Sequence, residues 1–408
     1  MSVEVNVVNM RCGAPAGGLS CAYCYQGAVR KASNAAPDQI DHEAIRRSVL
    51  AASPGPSEGF SVFGGEPLLA DVADLERLWA FGLERYRKNG VQTSGRPITE
   101  AHLALFKKYR VHVGFSIDGP GPLNDARRAG TLEQTRAATA HSEAMLKRCL
   151  AEGIGASLIV TLHRLNAAAD RLQQLLAWFL ELDAAGLSSV RLHLLERDGP
   201  GGERLALTSV ENVAALFAAR TLEGSLARLR FDVFADIEKK LRDPSAGVTC
   251  VWNGCDPWTT PAVQGIEADG SRSLCQRVHK DGKQWRPADQ HSNIRQVVLW
   301  GTPQEDGGCH GCRFFLQCGG QCPGTAIDGD WRNRSVDCPT WFALLERAEG
   351  EMLARGEKPA SLAPDLEARI ERSLAGRVAD SGHGDGHGDS PHGDSHGDHT
   401  DAGDEGRP

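Results

Sequence analysis

The chain has 408 residues, 41% apolar and 24% charged, which is room for two or three domains or one large one with appendages. Its 45 basic and 53 acidic residues leave a formal charge of −8, which argues against a dedicated nucleic-acid binder. No run of about 18 apolar residues occurs, so no membrane span is expected. The opening MSVEVNVVNMRC lacks the basic-then-apolar order of a secretory signal, and a cytoplasmic location follows by default.

In chain order, VEVNVV (3–8) reads as a first strand, 37–52 as a helix, and FSVFGG (60–65) as a short buried strand ending in glycines. Residues 71–87 have helical spacing, and GVQTSG (90–95) reads as a strand and turn. A helix near 98–109, a strand VHVGFSI (111–117), a helix near 133–152, a strand ASLIVTL (156–162), a helix near 168–184 and a strand VRLHLLE (190–196) follow. Strands that alternate with helices imply right-handed crossovers and a parallel sheet. Ligands then collect at the carboxyl ends of the strands. Residues 208–242 read as one or two linking helices, and 340–378 as helical again. Between Cys250 and Cys338 periodic patterning fades while glycine and cysteine rise, the texture of a segment that folds around metal. The last stretch, GHGDGHGDSPHGDSHGDH (382–399), holds five histidines, six glycines and four aspartates, and is expected to be disordered.

Twelve cysteines are the informative excess. Three, Cys12, Cys21 and Cys24, form C-x8-C-x2-C after the first strand; eight lie between 250 and 338, and Cys149 stands alone as an expected core residue. Clustered cysteines in a reducing compartment point to metal or iron–sulfur ligation rather than disulfides. Three thiolates leave one iron of a 4Fe–4S cluster open; a zinc site borrowing a fourth ligand is the alternative. FGGEP (63–67) ends the second strand candidate, where a glycine pair admits a ligand closely and Glu66 offers a carboxylate to an ammonium group.

With CAYCY, GGEP, QTSG (92–95) and SIDGPGPLND (116–125), the chain resembles the radical S-adenosylmethionine (SAM) superfamily over roughly residues 3–200. The first cysteine gap is eight residues where the family usually has three. The resemblance implies an α/β fold, a partial (β/α)6 TIM-type barrel. It assigns Cys12, Cys21 and Cys24 to the reducing cluster, and Gly64, Gly65 and Glu66 to the amino group of SAM. Ser116 and Arg128 are candidates for its ribose and carboxylate, with Tyr23 near the adenine.

Further on, CHGCRFFLQCGGQC and VDCP resemble the SPASM extension of peptide-modifying radical SAM enzymes. That resemblance gives Cys250, Cys255, Cys275 and Cys322 to an auxiliary 4Fe–4S cluster near the active site. It gives Cys309, Cys312, Cys318 and Cys338 to an outer one. The implied organisation is a barrel over 1–207, linking helices over 208–248, a SPASM domain with two auxiliary clusters over 249–345, C-terminal helices over 346–379, and a His/Gly/Asp-rich tail over 380–408.

The implied chemistry is reductive cleavage of SAM to a 5′-deoxyadenosyl radical, which takes a hydrogen atom from a peptide residue. A crosslink, thioether or related oxidation in a ribosomally made peptide is the first reading. A sulfatase-maturase-like protein oxidase is an alternative, but its aspartate base after the cysteine is replaced here by Gln276. An iron–sulfur electron carrier that uses no SAM is the other. Expected partners are a precursor peptide, a separate leader-recognition protein, and a flavodoxin- or ferredoxin-type electron donor, with no nucleic acid and no membrane. With the first strand at residue 3, no N-terminal leader-recognition domain is expected. The catalytic acid or base has no candidate.

Overall fold

The computed structural model describes residues 2–8, 19–25, 40–52, 59–86, 88–198, 201–256, 263–273, 275, 277–278 and 294–379. Cys12, Gln276 and the 380–408 tail lie outside them.

Among the described residues the main sheet has nine strands. In chain order they are β1 (Ser2–Val8), β3 (Gly59–Gly64), β4 (Asn89–Thr93), β5 (Val111–Ser116), β7 (Ala156–Leu162), β8 (Ser189–Leu194), β9 (Arg230–Phe231), β10 (Val263–Glu267) and β11 (Arg272–Ser273). Two short strands, β2 (Ser20–Cys21) and β6 (Arg127–Arg128), form a separate antiparallel ladder. The sheet order is β11-β10-β1-β3-β4-β5-β7-β8-β9. From β10 to β9 every neighbouring pair is parallel, and β11 pairs antiparallel with β10. All six strands anticipated from the sequence are present, with helices between most of them, and the fold is the α/β type expected.

The strands are built on a period of two. Along β5, Val111, Val113 and Phe115 are buried in the core, while His112, Gly114 and Ser116 line an interior cleft. The same alternation puts Ser61, Gly90, Gln92, Ser157, Arg191 and His193 on the cleft side. Phe60, Val62, Leu158, Val160 and Val190 pack outward against the helices. Where a closed barrel fills its interior with branched aliphatics, this one places polar groups and glycines there, which leaves space for a ligand.

Helices Val72–Tyr86, Glu100–Lys108, Leu132–Ala151 and Ala169–Ala184 supply the outer layer, with Leu75, Trp79, Phe106, Leu146, Trp178 and Phe179 in the core. Thr131 caps its helix reciprocally with Gln134, a capping box. Gly82 packs so tightly that a Cβ there would lie 2.0 Å from Asn89 Oδ1 and 2.6 Å from the Phe60 ring.

The 208–242 stretch forms helices Ser209–Glu223 and Asp232–Arg242, and helix Cys338–Ala354 packs on both. Arg220 ties the three together through Glu223, Glu238 and Glu351. The cysteine-rich segment, where periodic patterning fades, still contains regular elements. It contributes β10, β11 and helix Ile294–Gly301. Strand β10 pairs with β1, so this segment and the first strand share one sheet. Main-chain pairing of a strand lying between β11 and β1 needs no long hydrophobic alternation, which is why five residues, VQGIE, gave little warning.

Candidate active site

The cleft opens at the carboxyl ends of β3 to β8. Strand β3 ends at Gly64, whose φ of 137° suits glycine. The next turn places Glu66 at the N-cap of a short 3-10 turn, 3% exposed. Its Oε1 accepts from Thr93 Oγ1 at 2.6 Å and from Leu68 N at 3.4 Å. Its Oε2 accepts from Ser94 N at 2.9 Å and from the Ser94 hydroxyl. The GGEP and QTSG motifs therefore form one unit. Burial raises the Glu66 pKa, and the donors of Ser94 and Thr93 oppose that rise. Gly64, Gly65, Glu66 and Ser116 all line the cleft, and Gln92 Nε2 donates to Ser116 Oγ at 2.7 Å.

Cys21 and Cys24 enter the same cleft. A tight turn brings them together, with Cys24 N donating to Cys21 O at 3.2 Å. The turn is pinned by Ala22 N to Ala126 O at 2.8 Å and by Gly201 N to Ala22 O at 2.7 Å. Tyr23 donates its hydroxyl to Asp118, and its ring lies 5.5 Å from the Arg127 guanidinium carbon and 5.5 Å from the His163 ring.

Asp118 is fully buried. It also accepts from Arg127 Nη2 at 2.9 Å and Thr161 N at 2.9 Å, and pairs with His163 Nε2 at 3.2 Å. Burial alone would raise its pKa; Arg127 and His163 more than reverse that and hold it well below the usual carboxylate range. Arg128, the residue singled out from the sequence, is exposed and does not line the cleft, whereas its neighbour Arg127 does. On a two-residue strand adjacent side chains face opposite ways, so the guanidinium aimed inward is one position earlier than expected.

Sequence reasoning missed Asp118, Arg127, His163 and His193. Asp118 sat inside the SIDGPGPLND motif, which was the available signal. His193 lines the cleft from β8. Burial, then the charges of Arg277, Arg191 and Arg127, push its pKa well below the imidazole range. Arg277 bonds to Glu196 and joins the cysteine-rich segment to the end of β8. Tyr25 lines the cleft with both Cys24 and Cys275; burial raises its hydroxyl pKa, and Glu196, Cys275 and Cys24 add to that.

The eight cysteines between 250 and 338 fall into two neighbourhoods. Cys309, Cys312, Cys318 and Cys338 line one small apolar cavity, walled by Phe314, Phe315, Phe342 and Leu345. Cys250, Cys275 and Cys322 instead line the main cleft that holds Cys21 and Cys24. Cys255 lies beside Cys322 and Cys250, and burial followed by these two thiols raises its pKa. Burial, with Cys312 and Cys338, pushes the Cys309 thiol up to about 12. Such thiols need compensating positive charge to ionise, which metal supplies. Four thiols on one apolar cavity match in number the thiolates that a 4Fe–4S cluster takes. Among the described residues, no three His, Cys, Asp or Glu converge to hold a single metal ion. Cys149 is buried in its helix, as expected of a core residue.

Residues 15–174 match the family model of the Radical SAM superfamily. The serine-type anaerobic sulfatase-maturating enzyme of Klebsiella aerogenes is 34% identical over 121 residues, 28% of this chain and 30% of that enzyme. The cysteine-type anaerobic sulfatase-maturating enzyme of Clostridium perfringens is 27% identical over 118 residues, 27% of this chain and 32% of its own length. The chain therefore matches only about a third of these relatives' length. The fold is shared more widely. It superposes on anSMEcpe with bound AdoMet at a TM-score of 0.65 and 17% identity, covering 87% of this chain and 98% of that one. It superposes on Streptococcus suis SuiB bound to S-adenosylmethionine at 0.53 and 14% identity, covering 83% and 76%. The cysteine pair Cys21 and Cys24, the glycine turn of Gly64 and Gly65, and Glu66, which meet on one cleft, all fall within the stretch that matches the Radical SAM superfamily model.

Proposed function

We propose that the protein is a radical SAM/SPASM maturase acting on a ribosomally made peptide. The observation that carries this reading is the shared cleft: Cys21 and Cys24, Glu66, and the second group Cys250, Cys275 and Cys322 all face one space. In this reading Cys12, Cys21 and Cys24 hold the reducing cluster. Cys250, Cys255, Cys275 and Cys322 hold an inner auxiliary cluster, and Cys309, Cys312, Cys318 and Cys338 an outer one. When bound, the reducing cluster and SAM supply a 5′-deoxyadenosyl radical that removes hydrogen from the substrate.

The chain's own residues do the rest. Glu66, locked by Thr93 and Ser94, presents the backbone of Gly64 and Gly65 and a buried negative charge toward an ammonium group. Arg127, held by Asp118, offers a fixed cation to a carboxylate. The cleft walls limit water around the reacting carbon. Its lining includes Arg191, Asp232, Asp236 and Arg277, which suits a peptide backbone with polar side chains. His193, kept neutral by its surroundings, lines that wall and can take a substrate proton.

The neighbouring folds support a peptide substrate: anSMEcpe has been solved with the Cp18Cys peptide, and SuiB with the precursor peptide SuiA. The sulfatase-maturating relatives keep a protein-oxidase reading open, although Gln276 cannot serve as that branch's base.

Anaerobic reconstitution with iron and sulfide is expected to give about twelve irons per chain. SAM and a reductant should then yield 5′-deoxyadenosine. Replacing Cys12, Cys21 and Cys24 together by alanine should remove about four irons and all SAM cleavage. Zinc in anaerobically purified protein, or full iron loading without SAM cleavage, sinks the proposal. A sulfatase-type peptide that loses two hydrogens, where short precursor peptides do not, would favour the protein oxidase.

A further inference from the structure

The link between Cys318 and Cys322 walls two separate spaces. Gly320 and Gln321 line the cavity of the outer cysteine group, and Gln321 and Cys322 line the main cleft. Gln321 is therefore common to both.

This link is conformationally unusual. Gly319, Gly320 and Gln321 have φ of 56°, 72° and 60°. Glycine adopts this region freely, but a glutamine there is strained by about 1 kcal/mol or more. Arg295 holds the strain in place. It is fully buried, and among the described residues its guanidinium bonds to main-chain carbonyls alone. These include Gln321 O at 2.9 Å, Gly320 O at 3.3 Å, Gly319 O at 3.4 Å and Cys255 O at 3.2 Å. Gln296 Nε2 adds a bond to Gly319 O at 3.1 Å.

Inside this rigid frame the Gln321 side chain is 3% exposed, and its Nε2 has no hydrogen-bond partner among the described residues. A buried amide donor left unpaired costs about 1–3 kcal/mol. A strained backbone held by a buried arginine, carrying a donor unpaired among the described residues between two thiol-lined spaces, calls for an acceptor that those residues do not supply.

We propose that Gln321 donates a hydrogen bond from Nε2 to a sulfur of an auxiliary iron–sulfur cluster and thereby raises that cluster's reduction potential. The inference rests on reading these cysteines as ligands of two auxiliary clusters. Its physical basis is general: a reduced cluster carries one more negative charge, so a donor to its sulfur stabilises the reduced state more than the oxidised one. Gln321 is thus a tuning residue that acts through the cluster.

The test uses the full-length chain, reconstituted anaerobically and titrated electrochemically while the cluster signals are followed by EPR. Gln321→Leu keeps the side-chain volume and removes the donor. The expected result is unchanged iron content and a shift of one auxiliary cluster to a more negative potential, with the SAM-binding cluster unmoved. A full iron load with every potential unchanged overturns the proposal alone. Wild-type protein that takes up only about four irons overturns the cluster reading and the proposal with it. If Gln321→Leu loses iron, wild-type protein carrying side-chain 15N-labelled glutamine decides the matter. Pulsed EPR of its reduced auxiliary clusters then shows a nitrogen coupling if the bond exists, and its absence overturns the proposal.

Discussion

Arg127 donates from Nη2 to Asp118 Oδ1 at 2.9 Å, and the other oxygen of the same carboxylate takes the Tyr23 hydroxyl. This pair joins the cysteine turn to the end of β5, because Arg127 is on the ladder partner of Cys21 and Asp118 follows β5 by two residues. Both side chains are almost out of solvent, at 10% and 0% exposure. Asp118→Asn leaves Arg127 buried without its counter-charge, which is expected to cost about 3–5 kcal/mol. The double variant Asp118→Asn with Arg127→Met should recover part of that loss. Urea midpoints of the single and double variants check this, and a single variant as stable as wild type would contradict it.

The same carboxylate gives a pH dependence. Its folded pKa is depressed, so its stabilisation is complete above the ordinary aspartate range near 3.9. It is lost as pH falls from that range toward the lower folded value. Asp118→Asn should flatten this part of the acid limb in a plot of urea midpoint against pH.

His193 acts at higher pH. Burial and three arginines lower its folded pKa, so the native state holds fewer protons than the unfolded chain just below about 6.5. Stability should therefore fall as pH drops from about 6.5 toward the folded value. His193→Asn should show a smaller loss than wild type between these limits. His102 and His112 are shifted the same way by burial and remain in both proteins, so the difference between variants is the quantity to measure. Equal slopes would place His193 in contact with water.

Much of this architecture was legible in the chain. Five of the six strands announced themselves as short runs rich in Val, Leu, Ile or Phe, and β7 falls on ASLIVTL, residue for residue. The motif turns also marked where the cleft would be, because GGEP and QTSG stand at the ends of neighbouring strands. What escaped was whatever tertiary packing decides. Asp118 looked like one loop acid among many, and its burial comes from Tyr23, Arg127 and His163, which are 95, 9 and 45 positions away. Arg127 and Arg128 are indistinguishable until the β2–β6 register assigns their faces. Gln321 offered no signal at all beyond two preceding glycines.

The two cysteine neighbourhoods predict separable losses. Cys338 lines the outer cavity and Cys322 the main cleft. Cys338→Ala and Cys322→Ala should each remove about four irons, with different EPR signals missing. Each should retain part of the SAM cleavage and lose product formation. Loss of the same signal in both variants would mean one cluster site where two are expected.

Glu66 offers the sharpest test of the cofactor end of the cleft. Its Oε2 faces the main-chain N–H of Ser94, which cannot reverse its role as donor. In Glu66→Gln the amide oxygen must therefore take that position, and the amide NH2 must face Thr93 Oγ1 and Leu68 N. Leu68 N is also a donor and can only be repelled, while Thr93 Oγ1 already accepts from Gly95 N at 3.1 Å. The expected cost is about 1–3 kcal/mol of stability from the mismatched buried donors. The pH signature separates this packing effect from charge. The folded pKa of Glu66 is raised, so the native state holds more protons than the unfolded chain above about 4.3. The carboxyl's contribution is thus fullest at low pH and declines as pH rises through the folded value. Glu66→Gln should lose this decline while keeping a constant deficit. If the carboxylate also faces the ammonium of SAM, the loss of charge should weaken SAM binding about tenfold or more, the equivalent of one charge-assisted hydrogen bond. Equilibrium dialysis of SAM against reconstituted wild-type and variant protein measures that change. Undiminished affinity with reduced stability would leave Glu66 as the clamp between β3 and β4 and nothing more.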